Sequence, residues 1–207
     1  MASAPTTDQA PKKVSDELQS WLDGPGEKTL GGLIEMFAEK SFALIFILLL
    51  AVPALPLPTG GATHLFEIIA ALLAVQLIAG RDEIWLPERW RRIELAGKSR
   101  RRALDRLLKT IRWLERFSRP RLRSAFNHRW SNRLFGLLVL IGCAAAFFAP
   151  PFTGLDTLPA LGVVLISLGV LLEDALFVLV GTVLIGVGIA LELLLGKAAV
   201  DAFGSLI

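Results

Sequence analysis

The stretch LAVPALPLPTGG, Leu50 to Gly61, closes an apolar run that begins at Phe42, and it sets Pro53, Pro56 and Pro58 just ahead of Gly60 and Gly61. A proline inside a helix removes a hydrogen bond and clashes with the preceding turn, costing about 3 kcal/mol or more, and hydrocarbon offers no water to the freed carbonyls. Protein rather than lipid is therefore expected around this segment.

The frame for that reading is the composition. Hydrophobic residues make up 54% of 207 residues and the mean hydropathy is +0.59, too apolar for a soluble domain, with the apolar residues gathered in runs. This predicts an all-α, multipass helical membrane protein. Residues 1–28 are polar and contain no apolar core of a cleavable leader, so none is expected. The lone cysteine, Cys143, stands in an apolar run, which leaves no intramolecular disulfide or multi-cysteine metal site and suggests a small buried residue.

Four regions follow. Residues 1–28 read as a polar tail and a short helix capped by Ser15, with Asp16 and Glu17 in its first turn, stopped by DGPGE at 23–27. Residues 29–87 form a first membrane repeat. In it, Thr29 caps an interfacial helix carrying Leu30, Leu33, Ile34 and Phe37, and two apolar segments follow, 42–57 and 62–80. Residues 88–131 are a basic linker. Arg81 to Arg133 holds seventeen Lys or Arg, while Leu104, Leu107, Leu108, Ile111, Leu114 and Phe117 recur at helical spacing. That pattern suits an amphipathic helix on an anionic membrane surface, anchored by Trp85, Arg100, Arg101 and Arg102, and the positive-inside bias puts it with the N-terminus in the cytoplasm. Nucleic-acid binding is not expected, because membrane segments bracket the region closely. Residues 132–207 form a second membrane repeat of three apolar segments. An unbroken helix over 158–195 would run about 57 Å, so a break is expected between Gly169 and Asp174.

The two proline breaks stand 92 residues apart: Pro58 pairs with Pro150 and Asp82 with Asp174. Each copy has a proline-rich break, a small polar turn, an apolar run and an acidic cluster, which suggests a weak internal duplication. The second break comprises Pro150, Pro151 and Gly154. Both breaks are either re-entrant, with buried backbone, or simple hairpins between antiparallel spans.

The run from Thr29 to Pro87, with Leu-Pro-Leu-Pro at 55–58, Gln76 followed by Gly80, and Trp85-Leu86-Pro87, resembles the ExoD family of bacterial membrane proteins, named for a role in exopolysaccharide synthesis. Ile84 and Glu67 stand where members tend to carry Pro and Gly. The resemblance implies an inner-membrane protein of the polysaccharide machinery and transfers no catalytic residues.

An ionisable group inside a membrane segment is a functional candidate, because inserting it costs a few kcal/mol. Glu67 is the deepest in the first half, on a face with Thr63, Ala70, Ala71 and Ala74. Glu173, Asp174 and Asp82 join it as candidate proton or transport groups. Gln76 is either a further member or helix-packing glue, and His64 suits an interfacial hydrogen bond. Gly181, Ile185, Gly188 and Glu192 line one stripe, read as close helix packing, with a homodimer as one use of it. No phosphate loop or nucleophile motif is present, and no catalytic, metal or cofactor site is expected. Three functions remain: a transporter or translocator of an ion or a small or lipid-linked anion; an accessory protein that organises polysaccharide assembly proteins and lipid headgroups through its basic surface; and an enzyme acting on lipid-linked sugar.

Overall fold

The computed structural model describes residues 13–26, 28–37, 40–55, 63–81, 83–95, 97–116, 118, 129–149 and 154–204. Pro56, Pro58, Gly60, Gly61, Asp82, Phe117, Pro150 and Pro151 lie outside the described residues. Within these, all regular structure is helical: α1 (Val14–Asp23), α2 (Leu30–Phe37), α3 (Ser41–Leu50), α4 (His64–Ile78), α5 (Glu88–Arg91), α6 (Lys98–Glu115), α7 (Arg129–Phe148), α8 (Thr157–Leu172) and α9 (Ala175–Gly204).

Thr29 caps α2 as expected, its Oγ1 accepting the Gly32 N–H at 3.2 Å, and Leu33, Ile34 and Phe37 are buried. Ser15 does not cap α1. The helix starts one residue earlier, at Val14, and the buried Ser15 instead gives both its N–H (3.0 Å) and its hydroxyl (2.5 Å) to the Glu115 carboxylate at the end of α6. Local capping lost to a tertiary partner because a carboxylate accepts two bonds where a backbone amide supplies one.

That clamp sits beside the apolar stripe of α6. Leu104, Leu108, Ile111 and Leu114 are buried and α6 packs on α1, so the stripe faces protein, a correction to its reading as a lipid-facing surface. What remains outside is mainly basic: Arg101, Arg102, Arg106, Lys109, Arg112 and Arg116 are exposed, beside Asp105 and Trp113. Ser15→Ala is expected to loosen α1 from α6 by about 1–2 kcal/mol, since it removes a hydrogen bond to the half-buried, charged Glu115 carboxylate. Faster proteolysis within α1 reads this out. Gln19→Ala, which loses only exposed contacts, to Asp23 and to Arg112, leaves the rate unchanged.

α3 is apolar on every side after Ser41 and is buried from Phe42 to Ile47 and again at Leu50. A helix hydrophobic all round belongs inside a bundle. It is packed by α2, α4 and α8. Helical hydrogen bonds continue past its end, from the Ala51 N–H to Ile47 and from the Ala54 N–H to Leu50, both at 2.9 Å. The described start of the proline break is thus a continued turn, with Pro53 and Ala54 buried in protein.

Around α3 the chain closes a ring of four helices, each packed on the next in the order α3, α4, α7, α8 and back to α3. α9 lies against α8 and touches α7. The α8–α9 contact is the most extensive among the described residues, and its cause is the small-residue stripe. A Cβ on Gly181 would meet the Gly162 carbonyl oxygen at 2.5 Å, and one on Gly188 would meet Pro159 at 2.8 Å. Two backbones approach where side chains are missing. The stripe is thus filled within the chain, by α8.

Among the described residues, two helices are long and apolar enough to cross a membrane: Trp130–Phe148 (19 residues, mean hydropathy 1.7) and Ala175–Ala198 (24 residues, 2.5). α3, α4 and α8 are apolar but shorter. The outer faces of α4, α7 and α9 expose Leu72, Val75, Leu137, Phe148, Leu179 and Val183, an apolar exterior that suits association with a membrane.

Candidate functional site

Glu67 lies in the first turn of α4, on the face with Ala70, Ala74 and Leu77 that turns into the ring. It is 1% exposed. His64, one turn earlier, places Nδ1 2.8 Å from Glu67 Oε2, and the imidazole is held from the other side by the Phe147 ring of α7, with centroids 5.1 Å apart. Glu67 Oε1 is buried and has no hydrogen-bond partner among the described residues. One half of the carboxylate is therefore satisfied and the other is not, an arrangement that is costly at this depth unless a ligand or proton completes it.

Two further acids approach the same end of the ring. Asp156, in the turn that enters α8, interacts electrostatically with both Glu67 and Glu192. Glu192 of α9 is half-buried and likewise carries an Oε1 without a partner. Sequence reasoning missed Asp156. The signal was present, since it stands 92 residues after His64, the same interval that relates the proline breaks. Among the described residues no group of three or more His, Cys, Asp or Glu side chains is placed to hold a metal ion.

Glu173 and Asp174 are not at this site. α8, of 16 residues, is about 24 Å long at 1.5 Å per residue, and they sit at its far end. Glu173 is its left-handed C-cap (φ 57), and its carboxylate pairs with Lys40 at 2.8 Å. Asp174 begins α9: its Oδ1 accepts the Leu176 N–H at 2.9 Å while its own N–H reaches the Gly169 carbonyl at 2.8 Å. The two residues build the expected break between α8 and α9 by capping one helix and starting the next.

Gln76 has a structural task as well. Its side-chain oxygen accepts the Trp85 N–H at 3.0 Å and its amide donates to the Trp85 carbonyl at 3.4 Å. This two-point grip fixes the turn after α4 and leaves Trp85 exposed. Arg100, Arg101 and Arg102 lie in the N-terminal part of α6. Gly154 takes φ +70 in the described part of the second break, a conformation open to glycine. Cys143 is buried on α7.

The profile of the family described as "Exopolysaccharide synthesis, ExoD" matches residues 14–194. Over 181 residues the chain is 30% identical to an uncharacterized protein of Synechocystis sp., covering 84% of each. Over 151 residues it is 28% identical to Protein ExoD of Rhizobium meliloti, covering 72% of this chain and 62% of that protein. No solved structure matches. The profile takes in every site residue described above, from the Ser15 clamp on α1 to Glu192 on α9, and the chain belongs to the ExoD family, linked to exopolysaccharide synthesis.

Proposed function

We propose that the protein is a multipass transporter or translocator of the bacterial inner membrane serving exopolysaccharide production, with Glu67 as the group that takes up a proton or another small cation. The observation that carries this reading is the buried Glu67 carboxylate, held by His64 through one oxygen and unpartnered at the other. An intramembrane acid persists when it is partnered or wet, and acids so placed mark ion pathways and proton relays. Asp156 and Glu192 at the same end add negative potential, which favours a cation over the anionic cargo the sequence left open. The ring topology agrees with a duplicated unit. Exchanging α3 with α7 and α4 with α8 turns each ring contact into another ring contact, as a pseudo-twofold axis between repeats requires. Purified protein in proteoliposomes with an entrapped pH indicator tests the reading: a protein-dependent flux under an imposed gradient is expected, and its absence with every cation tried removes transport.

The exposed basic row on α6 favours a second reading, in which the protein docks anionic headgroups or assembly partners at the cytoplasmic face. Both readings share one topology, with α6 and the N-terminus inside. Arg101→Cys is expected to stay unlabelled by an impermeant maleimide in intact spheroplasts and to label after lysis. The native Cys143 is buried and contributes little background. Labelling in intact spheroplasts inverts the topology.

A further inference from the structure

The α4–α7 contact leaves a groove of about 270 Å³ with Glu67 in its lining. Its walls include Ala71, Leu72 and Val75 of α4 and Leu140, Ala144 and Phe148 of α7. Leu72 and Phe148 are 62% and 79% exposed, so the groove opens on the bundle's outer apolar surface. Among the described residues Glu67 is the only charged side chain lining it, and its Oε1 is buried and unpartnered.

We propose that this groove is a lateral site for one chain of an amphiphile whose head group donates a hydrogen bond to Glu67. The inference rests on Glu67 being a binding group, as in the transport reading, and extends it to a class of ligand. Three features select that class. The walls are apolar and the space lies near the lower edge of ligand pockets, which span roughly 300–1,000 Å³, so it takes a single chain and no bulky head. The free oxygen is an acceptor, so the head must donate; a methyl or ester terminus leaves Oε1 unsatisfied. Asp156 interacts electrostatically with Glu67 and with Glu192, so a phosphate head beside Glu67 meets like charge in a medium that screens it poorly. An alcohol or a primary ammonium fits on all three counts. The small side chains of Ala71 and Ala144 open the room that the chain fills.

The test uses the full-length protein in phosphatidylcholine nanodiscs and four long-chain diazirine probes that differ only in the head: alcohol, primary amine, phosphate and methyl. At equal mole fraction, the alcohol and amine are expected to photolabel groove residues about tenfold more than the phosphate and methyl probes, the scale of one hydrogen bond to a charged acceptor. Ala144→Phe fills the groove and should abolish labelling by all four. Glu67→Leu should erase the head preference while chain labelling persists, and Glu67→Gln, which keeps an acceptor oxygen, should retain the preference for alcohol. Equal labelling of the native protein by all four probes, or a preference that survives Glu67→Leu, overturns the proposal. Should Glu67→Leu fail to insert, the four-probe comparison on native protein and Ala144→Phe decide alone. Head-selective labelling without cation flux leaves the site and removes transport; flux with head-blind labelling does the reverse.

Discussion

Gly181→Ala is expected to destabilise the bundle markedly while Gly186→Ala, five residues along the same helix, does not. The added methyl at 181 would lie 2.5 Å from the Gly162 carbonyl oxygen, 2.7 Å from Ile166 Cγ1 and 2.8 Å from the Ile166 nitrogen. Two of those three atoms belong to backbone and cannot swing aside, so α8 and α9 must separate. Overpacking of this kind costs about 1–3 kcal/mol, and in a bilayer the loss falls on the close packing that associates helices. Intrinsic propensity acts in the opposite direction, since alanine is about 1 kcal/mol better than glycine within a helix. At Gly186 nothing lies within 4 Å of the new methyl, so propensity alone acts and stability holds or rises. Thermal denaturation in detergent compares the two directly. Matching midpoints would mean that α8 and α9 do not meet along this stripe.

Residues that act through local chemistry were legible in the sequence, and those that act through tertiary pairing were not. Thr29 caps α2 because a hydroxyl three residues before an amide needs no other part of the fold. The turn between α8 and α9 was readable because helix length against bilayer thickness demands one. Ser15 carries the same capping signature, yet its partner is Glu115, a hundred residues away, and nothing local announces it. The amphipathic pattern of α6 was correct, but periodicity says only that a face is covered, not that α1 covers it. The same limit governs the acids. Glu67, Glu173 and Asp174 look alike as carboxylates in apolar sequence, and only the packing separates a half-satisfied buried group from a helix cap paired with Lys40.

That separation gives the functional test its sharpest form. Glu67→Gln is expected to lower cation flux on the order of tenfold or more while leaving abundance unchanged, because the amide keeps the shape and one acceptor oxygen but can carry neither negative charge nor a transferable proton. Glu173→Gln is the control. It breaks a pair with Lys40 whose side chains are 36% and 24% exposed, a contact worth about 0–1 kcal/mol after solvent screening, and flux is expected to stay near native. The accessory reading expects the reverse: Glu67→Gln silent, and Arg101→Gln with Arg102→Gln and Arg106→Gln reducing polysaccharide output by stripping charge from the outer face of α6. Flux and polysaccharide output measured on all three variants separate the readings, because the Glu67 site lies at the end of the ring opposite Lys40 and Glu173, too far for one substitution to disturb both. Native flux in Glu67→Gln would leave transport without a site in this bundle.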